Sequence, residues 1–242
     1  MRDLENLALN RLSPDLSQKL TPFLRHVHFV SGKALFMAGE QVRHLFFLES
    51  GAVSLLTPLA GDQTIEFALV GREALIGGAA ALGSRHALYQ ASVQVEGEGY
   101  SLDVDVACRF AQEHHSFRML IDLQEQFILA QSQQSSACNA LHSLDQRLAR
   151  WLLRIRDVTG SNTLQVTQEL MSEMLRVQRT SVSLVAGRFQ HMGWISYARG
   201  QLKLEKPDAL EHCACECHRA MGNLYASLLA SEDKSNIRYP AD

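Results

Sequence analysis

Residues 164–204 read LQVTQELMSEMLRVQRTSVSLVAGRFQHMGWISYARGQLKL, and the order of signals in this run decides how the chain is organised. Thr167 is a side-chain cap for a helix over Gln168–Leu175, whose apolar stripe is Leu170, Met174 and Leu175. Arg176-Val177 is a turn. A second helix covers Gln178–Met192, with Val182, Val185, Phe189 and Met192 on one face, and Gly193 ends it. Leu164–Val166 reads as a short strand, and Trp194–Tyr197 with Gln201–Leu204 as a hairpin around Ala198-Arg199-Gly200. Helix, tight turn, helix and two-stranded wing, in that order, make a winged helix-turn-helix.

The chemistry of this run points to double-stranded DNA. The second helix opens with Gln178, Arg179, Thr180 and Ser181, polar residues at the end of a helix that would enter the major groove. Arg179 can bond both acceptors of a guanine edge, and Gln178, Thr180 and Ser183 can reach other base edges or phosphates. Thr167 presents a hydroxyl and a helix N-terminus to a phosphate, and Arg199 sits at the wing tip. Charge is distributed to match. The net charge is −3, yet residues 143–206 hold ten Lys/Arg against five Asp/Glu, which leaves the rest of the chain at −8.

Working back from this run, Ser143 and Gln146 have capping-box spacing, so a helix starts at Leu144 and runs to Val158, closed by Gly160-Ser161-Asn162. A hinge is expected at residues 141–144. Residues 107–141 read as one helix. In it Leu120, Leu123, Phe127, Ala130, Gln134, Ala137 and Leu141 are spaced 3, 4, 3, 4, 3, 4, a heptad seam that would zip two copies into a homodimer. From Leu24 to Val106 the texture is different. Short apolar runs (Val27–Val30, Leu45–Leu48, Val53–Leu56, Ile65–Val70, Ala91–Val95) alternate with turns at Ser31-Gly32, Gly39-Glu40, Ser50-Gly51, Gly61-Asp62 and Gly97, the pattern of an all-β sandwich or barrel. Ser13-Pro14-Asp15 starts a short helix ahead of it. The expected fold class is therefore α+β. Residues 1–113 form the β-sandwich or barrel, 114–142 a dimerisation helix and hinge, and 143–242 the winged helix-turn-helix with a closing helix.

Composition is that of an ordinary globular protein, 46% hydrophobic and 20% charged. No apolar run approaches the roughly 18–20 residues needed to span a bilayer, and the N-terminus lacks a secretory pattern, so a cytoplasmic protein with no membrane partner is expected. The cysteines are Cys108, Cys138, Cys213, Cys215 and Cys217, an odd number that argues against a disulfide scaffold. On one continuous helix Cys213 and Cys217 would share a face and Cys215 would point away, so no metal is assigned to them. His26-Val27-His28 resembles half of a cupin metal site, but Gly32 and Lys33 stand where a ligating glutamate would be needed, and a cupin-like metalloenzyme is set aside.

The chain resembles the Crp/Fnr superfamily, the cyclic AMP receptor protein and its relatives, over nearly its whole length. Gly39-Glu40 and His44-Leu45-Phe46-Phe47-Leu48-Glu49-Ser50-Gly51-Ala52-Val53 look like the family's Gly-Glu, paired aromatics and Gly-x-Val strand. Arg147-Leu148-Ala149 and Val177-Gln178-Arg179-Thr180-Ser181-Val182 look like the openings of its post-hinge and recognition helices. The resemblance implies that the N-terminal domain is a β-barrel of jelly-roll type, like a cyclic-nucleotide-binding domain, and that the chain is a non-enzymatic, effector-controlled homodimer that binds a two-fold symmetric operator and contacts RNA polymerase. Departures matter as much. The family's cyclic-nucleotide cassette has Gly-Glu-Leu and then Arg-Ser/Thr-Ala, whose glutamate holds the ribose and whose arginine neutralises the phosphate. Here Ile76-Gly77-Gly78-Ala79-Ala80 and Leu88-Tyr89-Gln90-Ala91 stand at those places, so Gly78 replaces the carboxylate and Tyr89 the arginine. Burying a phosphate without its cation is costly, and cyclic AMP is not expected to bind in the usual way, with Arg85 and His86 the nearby groups that could compensate. If another effector binds, the resemblance places it near Gly77, Gly78, Ala79, Tyr89 and Gln90, with Ser132 and Gln133 from the long helix. No cysteine precedes Cys108 for the family's iron–sulfur type, and no haem-ligand pattern is visible, so no cofactor is expected. A barrel that serves only as a dimerisation scaffold is the alternative. Thr180 and Leu184 stand where the founding member has a glutamate and a second arginine, which implies a different operator. Arg176 fills a turn position that often holds glycine.

Overall fold

The structure is a computed structural model that describes residues 4–61, 63–198 and 201–230. Helix α1 (Pro14–Leu20) opens where the sequence places it: the Ser13 hydroxyl accepts the Leu16 N–H, and Pro14 fills the first helical position. The barrel strands are β1 (Arg25–Phe29), β2 (Ala34–Phe36), β3 (His44–Leu48), β4 (Ala52–Pro58), β5 (Thr64–Val70), β6 (Leu75–Ile76), β7 (Gln90–Val95) and β8 (Gly97–Asp103). They form one sheet in the order β1-β8-β3-β6 and another in the order β2-β7-β4-β5, with antiparallel pairing. Leu45 and Phe47 from the first and Val53 and Leu55 from the second meet in a shared core. Gly97, expected as a turn, instead begins β8. A Cβ there would lie 2.2 Å from the Ser50 carbonyl oxygen, and one at Gly99 would lie 2.1 Å from that of Phe47. These glycines let strands approach closely, which local reading cannot separate from a turn.

The long helical stretch is broken. Helix α2 (Val104–Glu113) starts earlier than expected, because the Asp103 carboxylate accepts the Asp105 and Val106 N–H groups, and it stops at His114, which leaves helical geometry at φ −126. Helix α3 (His115–Leu141) follows. Phe110 and Phe117, on either side of the break, stack edge-on at 6.0 Å, so the kink serves a shared core. One face of α3, with Phe117, Leu120, Ile121 and Ile128, lies on the barrel. Helix α4 (Leu144–Thr159) begins after a complete Ser143/Gln146 capping box and ends at Gly160 in the left-handed region. Then come β9 (Thr163–Leu164), α5 (Gln168–Leu175), α6 (Arg179–His191), β10 (Ile195–Ala198), β11 (Gln201–Leu204), α7 (Pro207–Cys213) and α8 (Cys217–Ala230). The wing sheet runs β10-β11-β9.

The heptad seam is not wholly free. Leu120 and Phe127 are buried within the chain, the Phe127 ring packing 5.0 Å from that of Tyr225 on α8, and Gln134 donates to the Cys217 sulfur at 3.0 Å. Leu123 and Ala130 are half-buried, while Ala137 and Leu141 are exposed. The uncovered face of α3 is therefore rotated: it keeps Leu123, Ala130, Ala137 and Leu141 and adds Met119, Gln126, Leu129 and Gln133. Periodicity alone could not tell which apolar line α8 would cover.

Barrel and DNA-binding region meet across α4. The Trp151 indole N–H donates to Glu66 on β5 at 2.9 Å, and the Ser54 hydroxyl donates to the same carboxyl. Arg154 holds the Leu69 carbonyl through two nitrogens, at 3.1 and 2.8 Å, and pairs with Glu73. Ala52, Leu56 and Leu69 of the barrel share a core with Leu148, Leu152 and Ile155 of α4.

Burial pushes Glu66 up from 4.5 to about 7, against the lowering effect of its hydrogen bonds to Ser54 and Trp151. The folded state therefore holds a proton there that the unfolded chain releases. The stabilisation is complete below about 4.5 and is lost as pH rises to about 7. Calorimetric unfolding should show a midpoint that falls over that window, and Glu66→Gln should flatten this fall; an unaltered slope would remove Glu66 as its source.

Candidate nucleic-acid interface

The Thr167 hydroxyl accepts the Leu170 N–H at 3.1 Å and fixes the start of α5. Val182, Val185, Ala186 and Phe189 of α6 are buried against Met171, Met174 and Leu175 of α5 and Leu148 and Leu152 of α4. Phe189 packs 5.3 Å from Trp194, which seats the wing. Between α5 and α6, Arg176 takes φ 53, ψ 54, the left-handed conformation expected at this turn, while the Arg147 guanidinium donates to the Leu175 carbonyl. These contacts fix the bearing of α6 and leave its first turn outward.

Gln178, Arg179 and Thr180 are exposed, and Ser181 is half-buried. The Arg179 side chain is 66% exposed and 3.4 Å from Glu169, an exposed pair that contributes at most about 1 kcal/mol and leaves the guanidinium open to solvent. Ser183 is differently placed from the other polar residues. Its hydroxyl donates toward Gln168 on α5 at 2.6 Å and lies 2.9 Å from the Arg179 carbonyl, so here it ties the two helices together. Leu184 is 68% exposed and lies with Gly187, Arg188, His191 and Met192 in a shallow groove along α6. Arg188 pairs with Asp145 on α4. Arg199, placed by sequence at the wing tip, lies outside the described residues.

In the barrel, Gly77 (φ 82) leads into a single helical turn over Gly78–Ala81. The residue that meets this turn is Glu125 of α3, whose carboxylate accepts the Ala79 N–H at 2.9 Å. Burial holds the Glu125 carboxyl above its usual range. A side chain at position 78 would meet Ile121 at 2.8 Å and Glu125 at 3.0 Å, so α3 occupies the space where a cassette carboxylate would project. Tyr89 packs on Phe36 and Phe67, each at 5.6 Å, and burial raises its phenol far above the ordinary value. Gln90 is half-buried at the start of β7. Ser132 and Gln133 do not join this group: they lie about two helical turns, roughly 10 Å, beyond Glu125 along α3. Arg85 pairs with Asp105 at 2.6 Å, which engages the nearby cation. Ile121 and Glu125 were not visible as site residues in the sequence; the one hint was a glycine at 78, which leaves room for another element.

The C-terminal cysteines also depart from the sequence reading. α7 ends at Cys213 and α8 begins at Cys217, so the premise of one continuous helix fails. Cys215 and Cys217 turn toward α3, where with Cys138 and His142 they form a group of metal-capable side chains. Cys213 is not part of it.

Residues 26–114 match the family profile described as cyclic nucleotide-binding domain, and residues 146–213 the one described as Crp-like helix-turn-helix domain. No curated protein matches the sequence at a significant level. Among solved structures, FixK2 from Bradyrhizobium japonicum superimposes with a TM-score of 0.67 at 12% identity, covering 79% of this chain and 98% of that one. The c-di-GMP-responsive global regulator CLP of Xanthomonas campestris gives 0.65 at 13% identity, over 79% and 99% of the two chains. A transcriptional regulator of the CRP family from Thermus thermophilus gives 0.63 at 24% identity, over 78% and 96%.

Arg176→Gly should relieve the left-handed strain in the turn and raise stability by about 1 kcal/mol, read as a higher urea midpoint at unchanged slope. A lower midpoint would show that the arginine side chain contributes more than its backbone conformation costs.

Proposed function

The chain belongs to the Crp/Fnr superfamily of transcription regulators, and on that premise we propose that it works as a homodimer that reads a two-fold symmetric DNA operator through α6. One observation carries the reading: a helix whose inner face is locked into a three-helix core and whose first turn offers Gln178, Arg179 and Thr180 to solvent. Arg179 is assigned to a guanine edge, with Gln178, Thr180 and Ser181 beside it. Ser183 holds the helix pair and reaches DNA by exchanging its Gln168 bond. Leu184 supplies an apolar contact suited to a thymine methyl group. Thr167 and Arg199 are assigned to the phosphate backbone.

Dimerisation is assigned to the uncovered face of α3, around Leu123, Leu129, Ala130 and Ala137. Residues 1–113, 114–142 and 143–242 serve as sensor, dimerisation helix with hinge, and DNA-binding domain. No helix among the described residues is long and apolar enough to cross a membrane. A cytoplasmic regulator that engages RNA polymerase accords with the family.

The effector is not cyclic AMP in the family's usual pose. The cassette carboxylate and arginine positions hold Gly78 and Tyr89, Arg85 is engaged by Asp105, and a carboxylate already sits on the Ala79 N–H where an anionic phosphate would be drawn. One structural relative is described as c-di-GMP responsive, so a regulator of this fold can answer to an effector other than cyclic AMP. The same Glu125 contact favours a second reading, in which the barrel is an effector-independent scaffold. Calorimetric titration with cyclic AMP should give no heat of binding at micromolar ligand, and saturable micromolar binding would contradict this.

Arg179→Ala should weaken operator binding by about 1–3 kcal/mol and relax preference at one base pair of each half-site, measured by competition with operators varied at single positions. An equal loss on every sequence would assign the side chain to phosphate instead.

A further inference from the structure

We propose that Cys138, His142, Cys215 and Cys217 bind one divalent metal ion of the zinc class, which fastens the end of α3 to the junction of α7 and α8. The four ligand atoms lie within 4.8 Å of one another. The Cys138 and Cys215 sulfurs are 3.5 Å apart, and the Cys217 sulfur is 3.5 Å from His142 Nδ1. A tetrahedral site with bonds of about 2.3 Å to sulfur and about 2.0 Å to nitrogen has ligand-to-ligand edges of roughly 3.4–3.8 Å, so contractions of about 1 Å complete it. Cys138 lies in the last turn of α3, and His142 is the extended residue that caps it, its backbone N–H still bonded to the Cys138 carbonyl at 3.1 Å, which keeps the two side chains adjacent. Residues Ala214, Cys215 and Glu216 form the break between α7 and α8, and this turn lets Cys215 and Cys217 converge where a continuous helix would separate them.

The surroundings suit a metal. All three cysteines are buried, and they form a sulfur cluster apart from the two larger cores. His142 Nδ1 faces the sulfurs, and Nε2 lies 3.2 Å from Glu216, so a carboxylate on the outer nitrogen orients the inner one for a metal. The Gln134 amide N–H, 3.0 Å from the Cys217 sulfur, is a hydrogen bond that a thiolate accepts. Three thiolates and one divalent ion leave a net charge of −1. Arg150 exerts its charge on Cys138, and its Nε has no hydrogen-bond partner among the described residues. The ligand set is closed, with side chains for four positions, so it holds a metal without presenting an open coordination position. His142 and Ser143 join α3 to α4, so occupancy would clamp the segment where sensor and DNA-binding region connect. The site stands independently of the operator reading.

Full-length protein carrying no histidine tag, reduced and stripped with a chelator, should be titrated anaerobically with Co2+. The expected result is saturation at about one ion per chain, with intense tetrahedral d–d absorption and thiolate charge transfer that Zn2+ abolishes. Cys138→Ser and Cys215→Ser should lose this spectrum, Cys108→Ser and Cys213→Ser should keep it, and His142→Cys should keep it with stronger charge transfer. Should a ligand variant fail to fold, the wild-type titration decides alone. A weak octahedral spectrum, no saturation, a Cys213→Ser loss equal to that of Cys138→Ser, or a Cys138–Cys215 disulfide in protein kept reduced would each overturn the site.

Discussion

Helix α4 packs two ways at once, and the placement of the DNA-reading surface follows from that. Leu148, Leu152 and Ile155 build the core that seats α5 and α6, while Trp151 and Arg154 reach into the barrel through Glu66, Leu69 and Glu73. A rigid element shared by two domains transmits displacement, because packed interiors do not deform continuously. Leaving the buried Glu66 carboxyl without its indole donor would cost about 1–3 kcal/mol, enough to bias the relative position of the two regions. The junction therefore holds α6 in one orientation relative to the barrel.

Much of the winged helix-turn-helix was legible because its boundaries are local events. Ser143 with Gln146, Thr167, Arg176 and Gly193 are caps and left-handed turns, and each appears within a residue or so of its expected place. What the sequence obscured depends on distant partners. β2 and β6 are too short to show a period, and β8 carries glycines whose purpose is strand approach. The break at His114 is enforced by Phe110 and Phe117 in a common core. The heptad of α3 is real as a spacing, but α8 covers part of it, a competition between partners that periodicity does not encode.

The candidate sites divide along the same line. Gln178, Arg179 and Thr180 could be found from sequence, since a polar opening on an amphipathic helix lies outside the core that its other face builds. Glu125 could not, because a carboxylate in mid-helix ordinarily reads as a solvated residue; only its seat on the Ala79 N–H shows that it reaches the barrel turn. The cysteine and histidine group needed two elements some 75 residues apart to meet.

The central claim is that two α6 helices read neighbouring major grooves from one symmetric particle. Selection of bound duplexes from a random pool by the purified protein tests it most directly. An inverted repeat should be enriched, with half-site centres about one turn, roughly 34 Å or 10 base pairs, apart. Enrichment of a lone asymmetric half-site, or of no sequence at all at low salt, would contradict it.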